Sequence, residues 1–590
     1  MDKVIANEQI NYWAEKIPDR NALYNKAGNT WQTTSWKEYK EKVDAVSRSL
    51  IALGHKSDEC VGIIAHNCKE FLFSQFGIVG AGGIPAPIYV TSKADQVAYI
   101  LKHSKSRFVI IEDETQYKKL VQERDNIDVE KVIVLRDFAD RDKEWSLSFD
   151  EFMQLGNKEH EEERQSRLKA LDKDKTMLLI YTSGTTGRPK AVIITHNNLY
   201  ATGSIAIRRF NLKRTRVVSY LPLSHIAEQI ITNAAQLYTG GEVYLCPDMK
   251  EVKDYLIEAR PNVFLGVPRV WEKFADAVGK QLSQATGMKR KLLDWARKVE
   301  LACFDKGAKQ GKNIQSFSRK LANKLVISKI KERLGFDRIE VAVTGAAPIS
   351  IETQKFFASI GITIFEVYGM SETSGLISTT VPLKPRFGTV GKSFDELELR
   401  IAEDGEILVK GPNMSPGYLH DEENTAELWE GGWLHTGDIG KFDDEGNLVI
   451  TDRKKNLIIT AGGKNIAPQP IEQALHSIPG IGHAVVVGDR RKYLVAVLTL
   501  DHENMPAIAE ELNIEYQSTS DLATDDSFLA YVEEKVQNDV NTGLAQYQTI
   551  KKFYIHPQEF SVETGEMTPT MKVKRKVVIQ KYDAEIEKLY

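Results

Sequence analysis

An α/β fold is predicted for most of this chain, and three observations predict it. Through about residues 40 to 380, helical patterns alternate with short apolar runs that end in small residues. Those runs are continuously apolar rather than alternating, which is how strands buried on both faces of a parallel sheet read. After about residue 390 the texture changes to short strands punctuated by turn residues, and from about 455 it changes again to mixed helix and strand. The expected architecture is a large N-terminal domain of parallel α/β sheets with a small β-rich subdomain, followed by a small α+β C-terminal domain.

The expected strands follow in chain order. "CVGIIAH", "RFVIIED", "KVIVLRD", "VVSYLPLSH", "EVYLCPD", "NVFLGVP", "IEVAVTGAAP" and "ITIFEVYG" are the apolar runs, each closed by a polar or small residue that begins a loop. In open α/β sheets such strand ends are where ligands bind. "EDGEILVKG", "GKFDDEGNLVITD" and "AGGKN" carry the turn signals of the β-rich part. "PQPIEQALHSIPGIGHAVVVGDRRKYLVAVLTL" then predicts one helix and two strands, with helix onward to the end. The boundaries expected are an N-terminal domain over 1–451, a hinge at 452–455 and a C-terminal domain over 456–590.

Composition excludes several classes. A chain of 590 residues is too long for one core. It is 42% hydrophobic and 27% charged, as ordinary globular proteins are. A net charge of −4 gives no global reason to bind nucleic acid. Cys60, Cys68, Cys246 and Cys303 are far apart and form no C-x-x-C, which argues against a disulfide framework or a zinc site and suits a reducing compartment. The first twenty residues lack the apolar core of a signal peptide, and the longest apolar stretch, "FGIVGAGGIPAPIYV", is too short to span a bilayer. The expectation is a cytoplasmic protein, at most peripheral to the inner face of a membrane. One segment departs from the mean: Lys280 to Arg338 carries 16 Lys and Arg against five Asp and Glu, a local net of +11. It is either a solvated face on long helices or a surface attracted to anionic lipid or a phosphate-rich ligand.

The most informative loop is "LLIYTSGTTGRPKAVIITHNNL", residues 178 to 199. The apolar run breaks into Thr182, Ser183, Gly184, Thr185, Thr186 and Gly187, with Lys190 just beyond. Closely spaced backbone N–H groups, hydroxyls and a mobile cation suit a triphosphate. It is not the Walker pattern, because Arg188 and Pro189 separate Gly187 from Lys190. Taken alone it is either a phosphate cradle or a hairpin tip.

"YTSGTTGRPKAV" resembles the phosphate-binding signature of the adenylate-forming (AMP-binding) superfamily, which includes acyl-CoA synthetases, luciferases and peptide-synthetase adenylation domains. Five further blocks stand downstream in that family's order: "VTGAAP" at 343–348, "EVYGMSET" at 366–373, "GWLHTGDIG" at 432–440, "DRKKNLIITAGGKNIAP" at 452–468 and "TPTMKVKRK" at 568–576. The resemblance covers nearly the whole chain. It is strongest to the long-chain fatty acyl-CoA synthetases, through the terminal block, "LPLSHIAEQ", and the stretch of about 70 residues between "GVPRVWEKF" and "VTGAAP".

The resemblance implies ATP, Mg2+ and coenzyme A as ligands and assigns residues to each. Thr182 to Gly187 and Lys190 would hold the phosphates, with Thr182 and Glu372 at the metal. An acidic residue beside a phosphate loop suits Mg2+. Gly345, Ala346 and Ala347 would line the pocket where adenine and acyl group meet. Val367, Tyr368 and Gly369 would receive the base, Tyr368 by stacking. Asp438 would accept the ribose hydroxyls, as acidic residues do in dinucleotide sites, with Arg453 a second contact. Lys455 stands nearest the family's pivot, and the C-terminal domain is expected to be mobile. Gly462, Gly463 and Lys464 would line the coenzyme A channel, and His225 stands near the acyl entrance, where a loop histidine without a catalytic role is the alternative. Lys572 matches the adenylation lysine. Relatives read S-G-K-x-x-R there, whereas this chain reads Thr570-Met571-Lys572-Val573-Lys574-Arg575, and Lys574 and Lys576 stand close by.

The activity implied is a long-chain fatty acid:CoA ligase working through an acyl-adenylate, with release of pyrophosphate and then AMP. Two alternatives stay open: an adenylating enzyme that passes another acid to CoA or to a carrier-protein thiol, and a non-catalytic nucleotide-binding module. Expected partners are a long-chain fatty acid, ATP and coenzyme A, with contact to anionic membrane and no nucleic acid. Whether the chain is an oligomer is left open.

Overall fold

Residues 3–182, 188–462, 464–568 and 572–590 are described by the structure, a computed structural model. They pack as two units. The first holds the described residues of 1–182, 189–399 and 409–434; the second holds 400–408 and the described residues of 435–590, with Arg188.

In the first unit, five parallel strands lie in the order Ile84–Pro87, Cys60–Ile64, Phe108–Ile111, Lys131–Val134, Ser146–Ser148. Every residue of Cys60–Ile64 and Phe108–Ile111 is buried, the physical reason these stretches read as unbroken apolar runs. A second sheet sets Val263–Gly266, Val341–Thr344 and Ile364–Tyr368 side by side and parallel, then adds Ser378–Thr379 and Lys392–Ser393 antiparallel. The helix Ile351–Ser359 links its second and third strands, and Ser350 caps it by accepting the Thr353 N–H. Trp271 packs at the back of this sheet, donating its indole N–H to the Val343 carbonyl at 3.2 Å and meeting Phe357 edge-on at 4.9 Å.

The third sheet holds a hairpin that the apolar-run reading passes over. Arg216–Ser219, Glu242–Leu245 and Asn21–Ala27 are parallel, and Thr30–Ser35 pairs antiparallel with the last. The hairpin sequence "NALYNKAGNTWQTTS" is polar because much of it is exposed. The strands Thr176–Thr182 and Lys190–Thr195 form an antiparallel hairpin of their own, with Thr182 opposite Lys190. The segment of about 70 residues is helical: Pro268–Ser283, Gly287–Gln310, Phe317–Ala322 and Ser328–Arg333.

In the second unit, Leu448–Arg453 pairs antiparallel with the later part of Trp433–Phe442, and Ile458–Ile459 with Asn465–Ile466. The helix Pro468–His476 precedes Ile481–Val487 and Leu494–Leu500, which pair antiparallel as expected. The expectation of helix from there to the end is corrected by Ile550–His556, a third strand parallel to Leu494–Leu500. Its two lysines are exposed and interrupt the apolar pattern, so the sequence there reads as neither a buried nor an alternating strand.

Candidate functional site

Several expected site residues of the first unit stand at the C-terminal ends of parallel strands, whereas Thr182 and Lys190 stand on an antiparallel hairpin. Gly345 follows Val341–Thr344 directly, and Val367 and Tyr368 close Ile364–Tyr368. Thr344 and Glu366 are opposite one another in the register. Ala346 has φ of +70°, a left-handed backbone that a residue with a Cβ rarely adopts, and Ala346 and Ala347 are exposed. The buried Glu366 carboxylate accepts the Ile349 N–H, and so ties this strained loop to the neighbouring strand. Burial pushes the Glu366 carboxyl up to about 8, against the lowering effect of that hydrogen bond. Sequence reasoning passes over Glu366, whose only signal is a carboxylate inside an apolar strand.

Gly369 has a packing reason to be glycine. A Cβ there would sit 2.3 Å from the Gly375 carbonyl oxygen. Gly345 is tight as well, its Cβ position being 3.0 Å from the Val367 carbonyl oxygen.

Lys190 and Glu372 are brought together by a residue the sequence reading missed. Glu372, in the turn Ser371–Thr373, is 8% exposed and accepts a hydrogen bond from the Tyr418 hydroxyl at 2.7 Å. The Lys190 ammonium stands 5.0 Å from the centre of the same Tyr418 ring, a cation–π distance, and donates to Asn424 Oδ1. Tyr418 is held there by backbone. Leu419 N donates to the Ala191 carbonyl at 2.9 Å and Ile193 N to the Gly417 carbonyl at 3.0 Å, so the segment adds a short edge to the hairpin that carries Lys190. Gly417 has φ of +143°, and a Cβ there would collide with Thr425 at 2.4 Å. Ser415 N donates to the Glu372 carbonyl oxygen at 2.7 Å, tying the acidic turn to the same segment. The available signal was "SPGYLHDEEN": a Gly-Tyr pair in a polar loop, just before an Asp-capped helix that carries Asn424.

Thr182 ends its strand opposite Lys190, with its hydroxyl 3.5 Å from the Lys190 carbonyl oxygen. Ser183, Gly184, Thr185, Thr186 and Gly187 lie outside the described residues; the strands that flank them are the two arms of a hairpin. Among the described residues, no group of three His, Cys, Asp or Glu could hold a metal ion by itself. A single buried carboxylate beside a lysine fits a Mg2+ ion that takes most of its ligands from phosphate oxygens and water. His225 is half-buried, and its Nδ1 accepts the Ala227 N–H at 3.2 Å, capping the turn Ile226–Glu228.

The second unit carries the rest. Asp438 is buried on Trp433–Phe442 and faces Arg453 across the strand pair, with Arg453 Nε 2.9 Å from Asp438 Oδ1. The adjacent Asp452 accepts the Gln469 N–H at 2.8 Å, and its burial raises its pKa. Lys454 is pinned by Asp404 at 2.6 Å and Glu406 at 2.9 Å, which raise its pKa, while Lys455 is exposed. Gly462 is exposed and outside the left-handed region, and among the described residues a Cβ added there would have only the Thr460 hydroxyl within 4 Å. Lys464 closes that loop by exchanging hydrogen bonds with Thr460, and its ammonium is 5.8 Å from the Tyr547 ring centre. Gly463 lies outside the described residues.

Lys572 is exposed, its N–H donates to the Thr568 hydroxyl at 3.0 Å and its carbonyl accepts the Thr568 N–H at 2.8 Å. Arg575, three residues on, donates to the Val486 carbonyl at 2.7 Å and to Glu472 Oε1 at 2.5 Å. Arg575 therefore anchors the helix that follows Lys572 to the central strand pair. Lys574 is half-buried with its N–H bound to the Glu566 carbonyl, and Lys576 is exposed.

Comparison with known proteins places this geometry. The model of the AMP-binding enzyme family matches residues 10–419, and that of the AMP-binding enzyme C-terminal domain matches residues 455–590. The chain is 35% identical to the long-chain-fatty-acid–CoA ligase ACSBG2 of Xenopus laevis, covering 98% of this chain and 82% of that one. It superposes on the crystal structure of an anthranilate CoA ligase with a TM-score of 0.73 at 17% identity, covering 99% and 98% of the two chains. It also superposes on the o-succinylbenzoate coenzyme A synthetase of Bacillus subtilis, solved with ATP and magnesium, with a TM-score of 0.68 at 21% identity over 96% and 98%. The two structures establish the fold. With both family models matched over most of the chain, this protein belongs to the AMP-binding enzyme family.

Proposed function

We propose that the protein is an AMP-forming long-chain fatty acid:CoA ligase. The observation that carries the chemistry is the chain Lys190–Tyr418–Glu372, a cation and a buried carboxylate held on one tyrosine beside the Thr182 strand end. The full-length similarity to a named long-chain-fatty-acid–CoA ligase supports the acid and the thiol.

A carboxylate resists attack because it is already negative and would have to expel an oxide. In the proposed first step a carboxylate oxygen of the acid attacks the α-phosphorus of ATP, and the bond to pyrophosphate breaks. Lys190 neutralises charge on the phosphates, Asp438 accepts from the ribose, and Lys572 bridges the acid carboxylate and the nucleotide. Positioning and charge stabilisation suffice for such a step. Mg2+, held by Glu372 and Thr182 when bound, would supply charge neutralisation at the phosphates. In the second step the sulfur of coenzyme A attacks the acyl carbonyl, AMP leaves with the bonding pair, and the thiol proton passes to solvent. Gly462, Gly463 and Lys464 would serve that step, with the turn at Lys455 as pivot between the two domain positions and His225 at the acyl entrance. The protein would work in the cytoplasm, with reversible contact to anionic membrane through the Lys280–Arg338 segment.

A CoA-thioester assay across saturated acids tests the reading. Each buried methylene is worth about 0.8 kcal/mol, so an apolar tunnel sorts chains steeply. Catalytic efficiency is expected to peak at about twelve to eighteen carbons, the range that the resemblance to long-chain fatty acyl-CoA synthetases implies. A peak at acetate or an aromatic acid refutes the long-chain assignment, and acid-dependent AMP release without a CoA thioester refutes the ligase.

A further inference from the structure

The Lys280–Arg338 segment presents more than charge. Gly287–Gln310 and the helical stretch from Phe317 onward form an antiparallel hairpin: Cys303 meets Ser316, Arg319 pairs with Glu300, and Ala296, Ala322 and Ile327 share one small core with Trp295, Val299 and Val326. With that core filled, large apolar side chains are left outside it. Met288 is 86% exposed and Phe317 83%, and Leu292, Leu321 and Leu325 are exposed as well. Their spacing is regular: 288 and 292 are four apart on one helix, and 317, 321 and 325 are four apart on the other, so each set forms a stripe. Lys289, Lys291, Lys320 and Lys324 alternate with these stripes and are exposed.

An exposed apolar stripe flanked by lysines is the reverse of a solvated helix face. It matches an interfacial surface, where apolar side chains enter the acyl boundary and lysine stems reach back to the headgroups. Charge chooses among occupants. A second copy of the chain would bring the same +11 segment against itself. A nucleic acid would gain from the lysines and nothing from Phe317, Met288 and Leu321. An anionic bilayer satisfies both features.

We propose that this hairpin docks the protein onto anionic lipid bilayers, with Phe317, Leu321 and Leu325 on one helix and Met288 on the other entering the interface. This deepens the membrane contact proposed above: it names the surface and makes insertion, not attraction alone, the source of affinity. The attractive part fades within a Debye length as salt is raised, whereas the inserted part persists.

The full chain and two double variants, Phe317→Ser/Leu321→Ser and Lys320→Glu/Lys324→Glu, are compared by co-sedimentation with phosphatidylserine–phosphatidylcholine vesicles and with pure phosphatidylcholine vesicles at low and high salt. Wild type should bind the mixed vesicles and retain part of that binding at high salt. Both variants should bind at least about tenfold less tightly, since two apolar side chains are removed from the interface or two positive charges there are replaced by negative ones. Phe317→Ser/Leu321→Ser should lose the salt-resistant part and Lys320→Glu/Lys324→Glu the salt-sensitive part. Melting temperature and ligase activity on acid delivered in detergent should be unchanged, as these side chains are exposed. Failure of wild type to bind either vesicle overturns the membrane contact altogether. Equal binding by wild type and Phe317→Ser/Leu321→Ser keeps the contact but overturns this surface. A lipid-free oligomer of the wild type that Phe317→Ser/Leu321→Ser dissociates assigns the stripe to a second copy, and overturns it too.

Discussion

Replacing Tyr418 by Phe tests whether Glu372 is a held ligand or a bystander. The ring remains for Lys190 to stand over at 5.0 Å, and the backbone bonds that tie the segment to the Lys190 hairpin remain. The hydroxyl that donates to Glu372 Oε1 at 2.7 Å is lost. Because Glu372 is buried, water replaces that donor poorly. A hydrogen bond to a charged group is worth about 1.5–3 kcal/mol, and each 1.4 kcal/mol or so is a factor of ten. Acid-dependent ATP–pyrophosphate exchange should therefore fall about 10- to 100-fold, the same range found when partners behind metal ligands are removed. On the proposed role, in which Tyr418 acts by orienting the carboxylate, the deficit should be partly recovered by raising Mg2+. Conversion of supplied acyl-adenylate and coenzyme A to thioester should be unaffected. Native exchange with native Mg2+ dependence refutes the positioning role. So does an equal fall in both half-reactions, which would mean that the loop is merely unsettled.

Lys572→Ala should abolish pyrophosphate exchange while leaving thioester formation from supplied acyl-adenylate; parallel loss of both refutes its assignment to the first step. Gly462→Leu should do the reverse. Because Gly462 sits in open space outside the left-handed region, that variant should fold, and a lowered melting temperature argues against a channel role. Arg575→Ala leaves the half-buried Glu472 without its guanidinium and the Val486 carbonyl without its donor, and losing a hydrogen bond to a charged group costs about 1.5–3 kcal/mol. Melting temperature and both half-reactions should fall together, and a loss confined to exchange would make Arg575 a ligand of substrate. Glu366 keeps its proton up to about pH 8 in the folded state but titrates near 4.5 when unfolded, so its contribution to stability falls as pH rises across that window. Glu366→Gln should flatten the melting-temperature profile between those values; a slope equal to wild type shows that the carboxyl is solvated.

Much of this was legible because it is local. Buried parallel strands announce themselves as unbroken apolar runs, and the loops that matter follow those runs directly, as Gly345 follows Thr344 and Gly369 follows Tyr368. The parts that escaped are those made by distance. Asn424 reaches Lys190 across 234 residues, and nothing in either neighbourhood names the other. Ile550–His556 escaped for a different reason: its parallel partner, Leu494–Leu500, is some fifty residues away, and its exposed lysines hide the pattern. Arg575 stands out in the sequence for its spacing from Lys572, but its work is done on Glu472 and Val486, 103 and 89 residues upstream.

A glycine in a motif is not explained by proximity to ligand alone. Gly369 follows the tyrosine expected to stack on a base, and a close approach by nucleotide would explain it. Packing explains it already, since a Cβ would strike the Gly375 carbonyl at 2.3 Å whether or not anything binds. The same holds for Gly417, forced by Thr425. Gly462 is the opposite case: among the described residues only the Thr460 hydroxyl would come within 4 Å of a Cβ there, and its φ lies outside the left-handed region. Side chains follow the same logic. Arg575 is accounted for by the pair it makes with Glu472, whereas the strained φ of the exposed Ala346 gains no packing for the fold. Strain that is kept at the C-terminal end of a parallel strand, and tied back by a buried Glu366, is what the proposed pocket wall would require of a preorganised site.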